Sequence, residues 1–428
     1  MNIWKISLKN LLHRPLYAVL AIVSLSISIG LLLGIQQLDG SIRNQFENGL
    51  GNVELVVGAK GSPLQLVLSS VLHIDQPTGN IPYPEVERLA KNPLVKAAVP
   101  ISYGDNYKGY RIVGSTPGFA TLYGAELLEG RAVKEAMEVI IGNEVAQELG
   151  LRLGDTFLSS HGFAENALEE HDQAFTVVGI YKPTYKVIDR LICSNLKSIW
   201  DVHDHGKGNE EARDREENGH HPEGHDESHE THAHVPEDPM HGHELEDKEV
   251  TSILLTFRNP MGLLTLPRTI NKDTNLQAAL PKYELERLFR FTGIGVKAIS
   301  WIAYIILVIS CMTIFIGLYK MVRERAFDLA LMRTYGAGNF QLACIVGFEG
   351  LLMVLASVVL GLIFSQVGLQ LLLSLFKSQI QQGIALVFSA EQTIRTLLVV
   401  FSISVLSVLM ALLPLLRMNI SKVLSDEK

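Results

Sequence analysis

The sequence predicts an α-helical membrane protein with four transmembrane helices, arranged one plus three, and a large mixed α+β extracytoplasmic domain between the first and the second. Three observations carry that prediction. Charge-free apolar stretches sit at both ends of the chain, Leu16–Leu38 and then Ala298–Tyr319, Phe340–Phe376 and Thr396–Leu416, the third interrupted only by Glu349. Ala298–Tyr319 is 22 residues long, so as a helix it spans about 33 Å, enough to cross a bilayer core. Between the first and second stretches the chain turns polar for more than two hundred residues and shows both strand and helix periodicities.

Taken in order, residues 1–15 carry Lys5, Lys9 and Arg14 and no acid, and read as a cytoplasmic amphipathic N-terminus. The span at 16–38 is too long for a signal-peptide core and no A-x-A-like site follows it, so it reads as an uncleaved first membrane helix. Residues 39–297 form the outer domain with its two stalks. Asp39–Gly51 extends the first helix outward, and Leu276–Lys297 reads as a helix that leads into the second span at 298–319. Residues 320–339 form a short cytoplasmic coupling segment. The third span lies within 340–376, an extracytoplasmic loop follows at 377–395, the fourth span is 396–416, and the tail is 417–428. Lys320, Arg323, Arg325 and Arg333 outnumber the two acids of the inner segment. That agrees with the positive-inside bias and places both termini in the cytoplasm.

Within the outer domain, strands are expected at Val53–Val57, Val95–Ile101, Tyr110–Val113, Glu138–Ile141, Thr156–Ser159, Phe175–Tyr181, Arg190–Cys193 and Thr251–Phe257. Helices are expected within Gly61–Leu72, Pro82–Asn92 and Asn143–Leu149. Residues 201–249 differ in kind. They hold 17 acidic against 4 basic side chains, so this stretch contributes −13 where the whole chain carries −8. With almost nothing apolar to bury, it is expected to be a disordered loop between strands.

Several chemistries are excluded. No GxxxxGK[ST], GxSxG, HExxH or CxxC occurs, so the chain is expected to be non-catalytic, with no intrinsic cofactor and no nucleotide site of its own. Cys193, Cys311 and Cys344 are too few and too scattered for a disulfide framework. Outside the acidic loop the balance is mildly basic, with no nucleic-acid footprint; lipid is the surrounding implied.

Three places could carry function. The acidic loop holds His203, His205, His220, His221, His225, His229, His232, His234, His241 and His243, with His-x-His pairs and a four-residue spacing at 221, 225 and 229. Imidazoles among carboxylates suit zinc or another divalent metal; the plain alternative is a solvated loop whose histidines only titrate. Glu349 stands near the start of the third span, either a functional carboxylate or one placed at the headgroup boundary. In MVRERAFDLALMRTYGAG, Phe327, Ala330 and Leu331 recur at helical spacing among Arg323, Glu324, Arg325 and Arg333, and Gly336 and Gly338 are natural stops. This is either a surface helix held at the membrane by its basic residues or a docking helix for a cytoplasmic partner. Gly350, Gly361 and Gly368 offer close helix contact without forming GxxxG.

The stretches SLKNLLHRPLYAVLAIVSLSISIG, EVIIGNEVAQELGLRLGDTF, FTVVGIY and RERAFDLALMRTYGAGNFQL followed by Phe348-Glu349-Gly350 resemble the permease superfamily that includes MacB, LolC and LolE, and FtsX. The resemblance implies a MacB-like periplasmic core domain and an FtsX-like permease domain in a bacterial inner membrane. It further implies a second permease chain, in a homodimer or a heterodimer, and mechanotransmission driven by ATP bound only by a cytoplasmic ABC ATPase subunit. A periplasmic adaptor or substrate-binding protein is a further partner it allows. The cargo class stays open between export, lipoprotein release and metal handling. So do two other readings: an FtsX-like scaffold that activates a periplasmic hydrolase, and a membrane-anchored zinc-binding or zinc-sensing protein.

Overall fold

A computed structural model describes residues 15–160, 170–202, 248–376 and 389–416. The ten loop histidines, His161, most of the N-terminal segment, most of the 377–395 connection and the C-terminal tail lie outside the described residues. The described chain divides into two units, one formed by Phe46–Phe289 and the other by the segments before and after it.

Charge-free sequence becomes long helix. Helix α1 runs Pro15–Gly49, so the chain stays helical without a break past the charge-free stretch at 16–38. Among the described residues, four helices are long and apolar enough to cross a membrane: α1, then Pro281–Glu324, Asn339–Phe376 and Ala390–Leu416. In a lipid-like setting there is no water to satisfy the backbone, so helix is the natural outcome. Their shared core includes Leu25, Ile29, Leu307, Ile314, Leu318, Val354, Val400 and Ala411.

Small residues bring these helices together. A Cβ added at Gly361 would lie 2.7 Å from Ile29 Cβ, and one at Gly350 would lie 2.7 Å from Val408 Cγ1. Gly368 is different, since nothing lies within 4 Å of its would-be Cβ. Most span hydroxyls return to their own helix: Ser26 Oγ donates to Ile22 O, Ser310 Oγ to Ile306 O, Ser357 Oγ to Met353 O and Ser402 Oγ to Leu398 O. A few cross between helices. Ser24 and Ser310 hydroxyls meet at 2.8 Å, Ser407 Oγ donates to Cys311 O at 2.7 Å, and Gln366 Nε2 donates to Gln37 Oε1 at 3.0 Å.

The outer unit is mixed α and β. Its strands, in chain order, are β1 Leu55–Ala59, β2 Ile81–Pro82, β3 Val95–Tyr107, β4 Tyr110–Ser115, β5 Leu127–Gly130, β6 Glu138–Ile141, β7 Thr156–Ser160, β8 Glu170–Tyr181, β9 Ile192–Asn195, β10 Glu249–Val250, β11 Ser252–Phe257 and β12 Leu276–Ala279. Ten of these form one sheet in the order β12-β1-β11-β3-β4-β9-β6-β8-β5, with β7 joining β3 and β8; β10 and β2 form a second pair. Only β4–β9 and β6–β8 run parallel among the described ladders. Helix α2, Pro63–Ser70, opens on Ser62, whose hydroxyl accepts from the Gln65 amide. It is followed by α3 Pro84–Ala90, α4 Gly118–Tyr123, α5 Asn143–Leu149 and α6 Met261–Asp273. The remaining helices are α7 Pro281–Glu324, α8 Ala326–Thr334, α9 Asn339–Phe376 and α10 Ala390–Leu416.

Two readings need correction. Leu276–Lys297 is not one helix. Leu276–Ala279 pairs antiparallel with β1, Leu276 opposite Ala59, and the helix begins only at Pro281. The ladder partner decides here, because a four-residue apolar run has no strong period of its own. Arg190 is also not in a strand: Val187–Arg190 is a 3-10 turn and the strand starts at Ile192.

Candidate functional site

The segment between α7 and α9 folds as an elbow, and its backbone explains the shape. Arg325 leaves helical geometry at φ −106° and ψ 17°. Its N–H still donates to Met321 O at 3.2 Å, while its own carbonyl accepts from Leu329 N at 2.9 Å. One residue therefore closes α7 and opens α8. At the other end Gly336 has φ +98°, a conformation open to glycine with little strain. Gly338 then starts α9: its carbonyl accepts from Gln341 N and Leu342 N, and Gln341 Oε1 accepts from the Gly338 N–H at 3.3 Å.

Side chains on α8 divide by face. Leu329 and Ala330 are buried. Phe327 and Leu331, one turn apart, are 40% and 39% exposed, and Arg323 and Glu324 are exposed at the end of α7. Arg333 is half-buried. Glu324 lies 3.9 Å from Lys320, whose ammonium also meets the Tyr17 hydroxyl at 2.5 Å and sits 4.7 Å from that ring's centre. The elbow thus combines a buried apolar underside with an outer face of two apolar side chains and several charges.

Glu349 is buried within the helical unit. It is 1% exposed on α9, and Arg325 Nη1, on a side chain 20% exposed, lies 3.5 Å from its Oε1. Periodicity could not pair these two residues. The available signal was the cost of leaving a carboxylate inside an apolar span without a cation.

The outer unit holds other unusual groups. His73 is buried at φ +56°. Its Nδ1 lies 2.7 Å from the Tyr103 hydroxyl, which donates to Ser69 O, and its Nε2 has no hydrogen-bond partner among the described residues. Burial first, and the Arg111 charge second, push the His73 pKa down to about 3. His171 falls in β8. Cys193 is a buried β9 residue whose thiol burial pushes up to about 12, so it packs rather than reacts. Buried Asp189 accepts from Thr184 N, Thr184 Oγ1 and Tyr185 N. Among the described residues no group of three or more His, Cys, Asp or Glu is placed to hold a metal.

Among the described residues, four membrane-length helices with a mixed domain between the first and second define a multi-pass membrane protein. The MacB-like periplasmic core domain model matches residues 18–197, and the FtsX-like permease C-terminal model matches residues 300–420. With a model of that kind on each part, the chain belongs to the MacB/FtsX-like ABC permease superfamily. Among solved structures it is similar to the periplasmic region of MacB from Actinobacillus actinomycetemcomitans. That match has 10% identity and TM-score 0.32, covering 56% of this chain and 94% of the other. It is also similar to the extracellular domain of the noncanonic ABC-type transporter YknZ from Gram-positive bacteria. There the identity is 11% and the TM-score 0.29, covering 53% of this chain and 98% of the other. No curated protein matches the chain.

Proposed function

We propose that this permease relays the work of a separate cytoplasmic ABC ATPase, through the elbow, to movement of its extracytoplasmic domain. In this reading the chain sits in a bacterial inner membrane beside a second permease chain, with both termini in the cytoplasm. It binds no nucleotide itself. The observation that carries the reading is the outer face of α8. Phe327 and Leu331 stay exposed on a helix whose opposite side is buried. Two apolar side chains framed by Arg323 and Glu324 suit a protein partner better than water.

The test is capture of an ABC ATPase by the full-length chain in detergent, with hydrolysis measured on the complex. Phe327→Ser with Leu331→Ser should weaken capture by about tenfold, since losing two apolar contacts removes more than 1.4 kcal/mol. Unchanged capture and unchanged stimulated hydrolysis would defeat the docking role. The histidine loop is proposed as a zinc-capturing segment. Zinc titration of the full chain with and without residues 203–243 should show binding only when they are present.

A further inference from the structure

We propose that the Arg325–Glu349 ion pair is the lock that fixes elbow helix α8 to span helix α9, so that a displacement of α8 is delivered to α9 instead of being absorbed at the turns. The delivery part rests on the docking reading above; the lock itself does not.

The argument begins with how else α8 is attached. Its covalent link to α9 passes through Tyr335–Gly338, which contains Gly336 at φ +98° and Gly338. Glycines are the residues that resist rotation least, so beyond the cap bonds from Gly336 N to Arg333 O and from Ala337 N to Met332 O this link adds little stiffness of its own. The link to α7 is also a joint, since Arg325 has left helical geometry. The buried underside, Leu329 and Ala330, gives adhesion but little direction, because apolar contact is not directional. A charge pair is directional, and fixing register is the best-attested use of a buried one.

The surroundings then hold the pair in place. Glu349 is 1% exposed and precedes Gly350. A Cβ at Gly350 would lie 2.7 Å from Val408 Cγ1 and 3.0 Å from Leu318 Cδ1. Helices α7, α9 and α10 therefore pack closely at the residue next to Glu349, whose own side chain is almost fully enclosed. Arg325 anchors three things at once: the end of α7 by its N–H, the start of α8 by its carbonyl, and α9 by its guanidinium. These are positioning residues, acting on the elbow and not on any substrate.

The test is a double-mutant cycle on the full-length chain in lipid nanodiscs, read by hydrogen exchange over residues 326–334 with no ATPase present. Arg325→Gln and Glu349→Gln should each speed exchange there by on the order of tenfold. The double variant should be no faster than the worse single, because once either partner is gone the pair has no coupling left to lose. Exposed Lys297→Gln, on α7 but away from the elbow, serves as the control and should match the wild type. Three results would each overturn the lock: single variants with unchanged exchange, effects that add in the double variant, or equal loosening across α9 and α10. Because no ATPase is present, the lock can fail while docking stands, and the reverse.

Discussion

The helical unit and the outer unit solve the same problem with different materials. In the outer unit, ladders join ten strands and large side chains such as Tyr123 and Phe175 fill the interior. In the helical unit, separate helices come together at Gly350 and Gly361, and hydroxyls lie where apolar side chains would otherwise be. Where water surrounds a fold, burying large apolar groups drives packing. Where lipid does, that drive is absent, and close backbone contact takes its place. The comparison teaches that added volume is the sensitive variable between the helices, while in the outer unit a buried titratable group and a helix cap are the sensitive ones.

The sharpest way to break this contrast is to add volume to the helices. Gly361→Leu pushes a side chain against Ile29 and the Ser26 carbonyl, and is expected to cost about 3 kcal/mol. Gly368→Leu, with open space around it, should change stability by less than about 0.5 kcal/mol. Melting of the two variants in the same detergent decides; equal losses would remove the steric account.

Next in size is an acid response confined to the outer unit. His73 has its pKa pushed down to about 3 from an unfolded value near 6.5. The unfolded chain therefore takes up a proton first as pH falls. Stability from this group is complete above about pH 6.5, declines as pH falls, and levels off below about 3. Between pH 7 and pH 5 the loss should be about 2 kcal/mol. Hydrogen exchange in β3 and α2, corrected for intrinsic rates, should show it in the full chain. His73→Asn, which suits a left-handed position, should flatten it. A response that persists in that variant would assign the effect elsewhere.

The smallest effect sharpens the outer-unit side. Ser62 caps α2 through a 3.4 Å hydrogen bond from Gln65 N. Ser62→Ala should cost about 0.5 kcal/mol, the low end for such a cap given its length. A loss above 2 kcal/mol in denaturant titration would show that Ser62 does more than cap.

Much of this architecture was legible because the chemistry was local. Glu138–Ile141 and Asn143–Leu149 fall where the strand–Gly–helix pattern placed them, and the membrane helices follow from missing charge. Helix α6 was missed. Pro267 interrupts Met261–Asp273 and reads as a breaker, yet Gly262, Leu266 and Ile270 keep one face buried at four-residue spacing. Strand β12 was missed because its partner, β1, lies more than two hundred residues earlier. The elbow was legible as a helix with glycine stops. Its pairing with Glu349 was not, since Arg325 and Glu349 meet only after the chain turns twice.

The serines and threonines of the spans have a mechanical meaning. Ser26, Ser357 and Ser402 each give their proton to a carbonyl four residues back on the same helix. A hydroxyl spent internally makes no bond that a neighbour must break in order to shift. Helices so equipped can slip past one another with low friction while each stays a stiff rod, and the few cross-links such as Ser407 to Cys311 become the points about which such slipping would pivot.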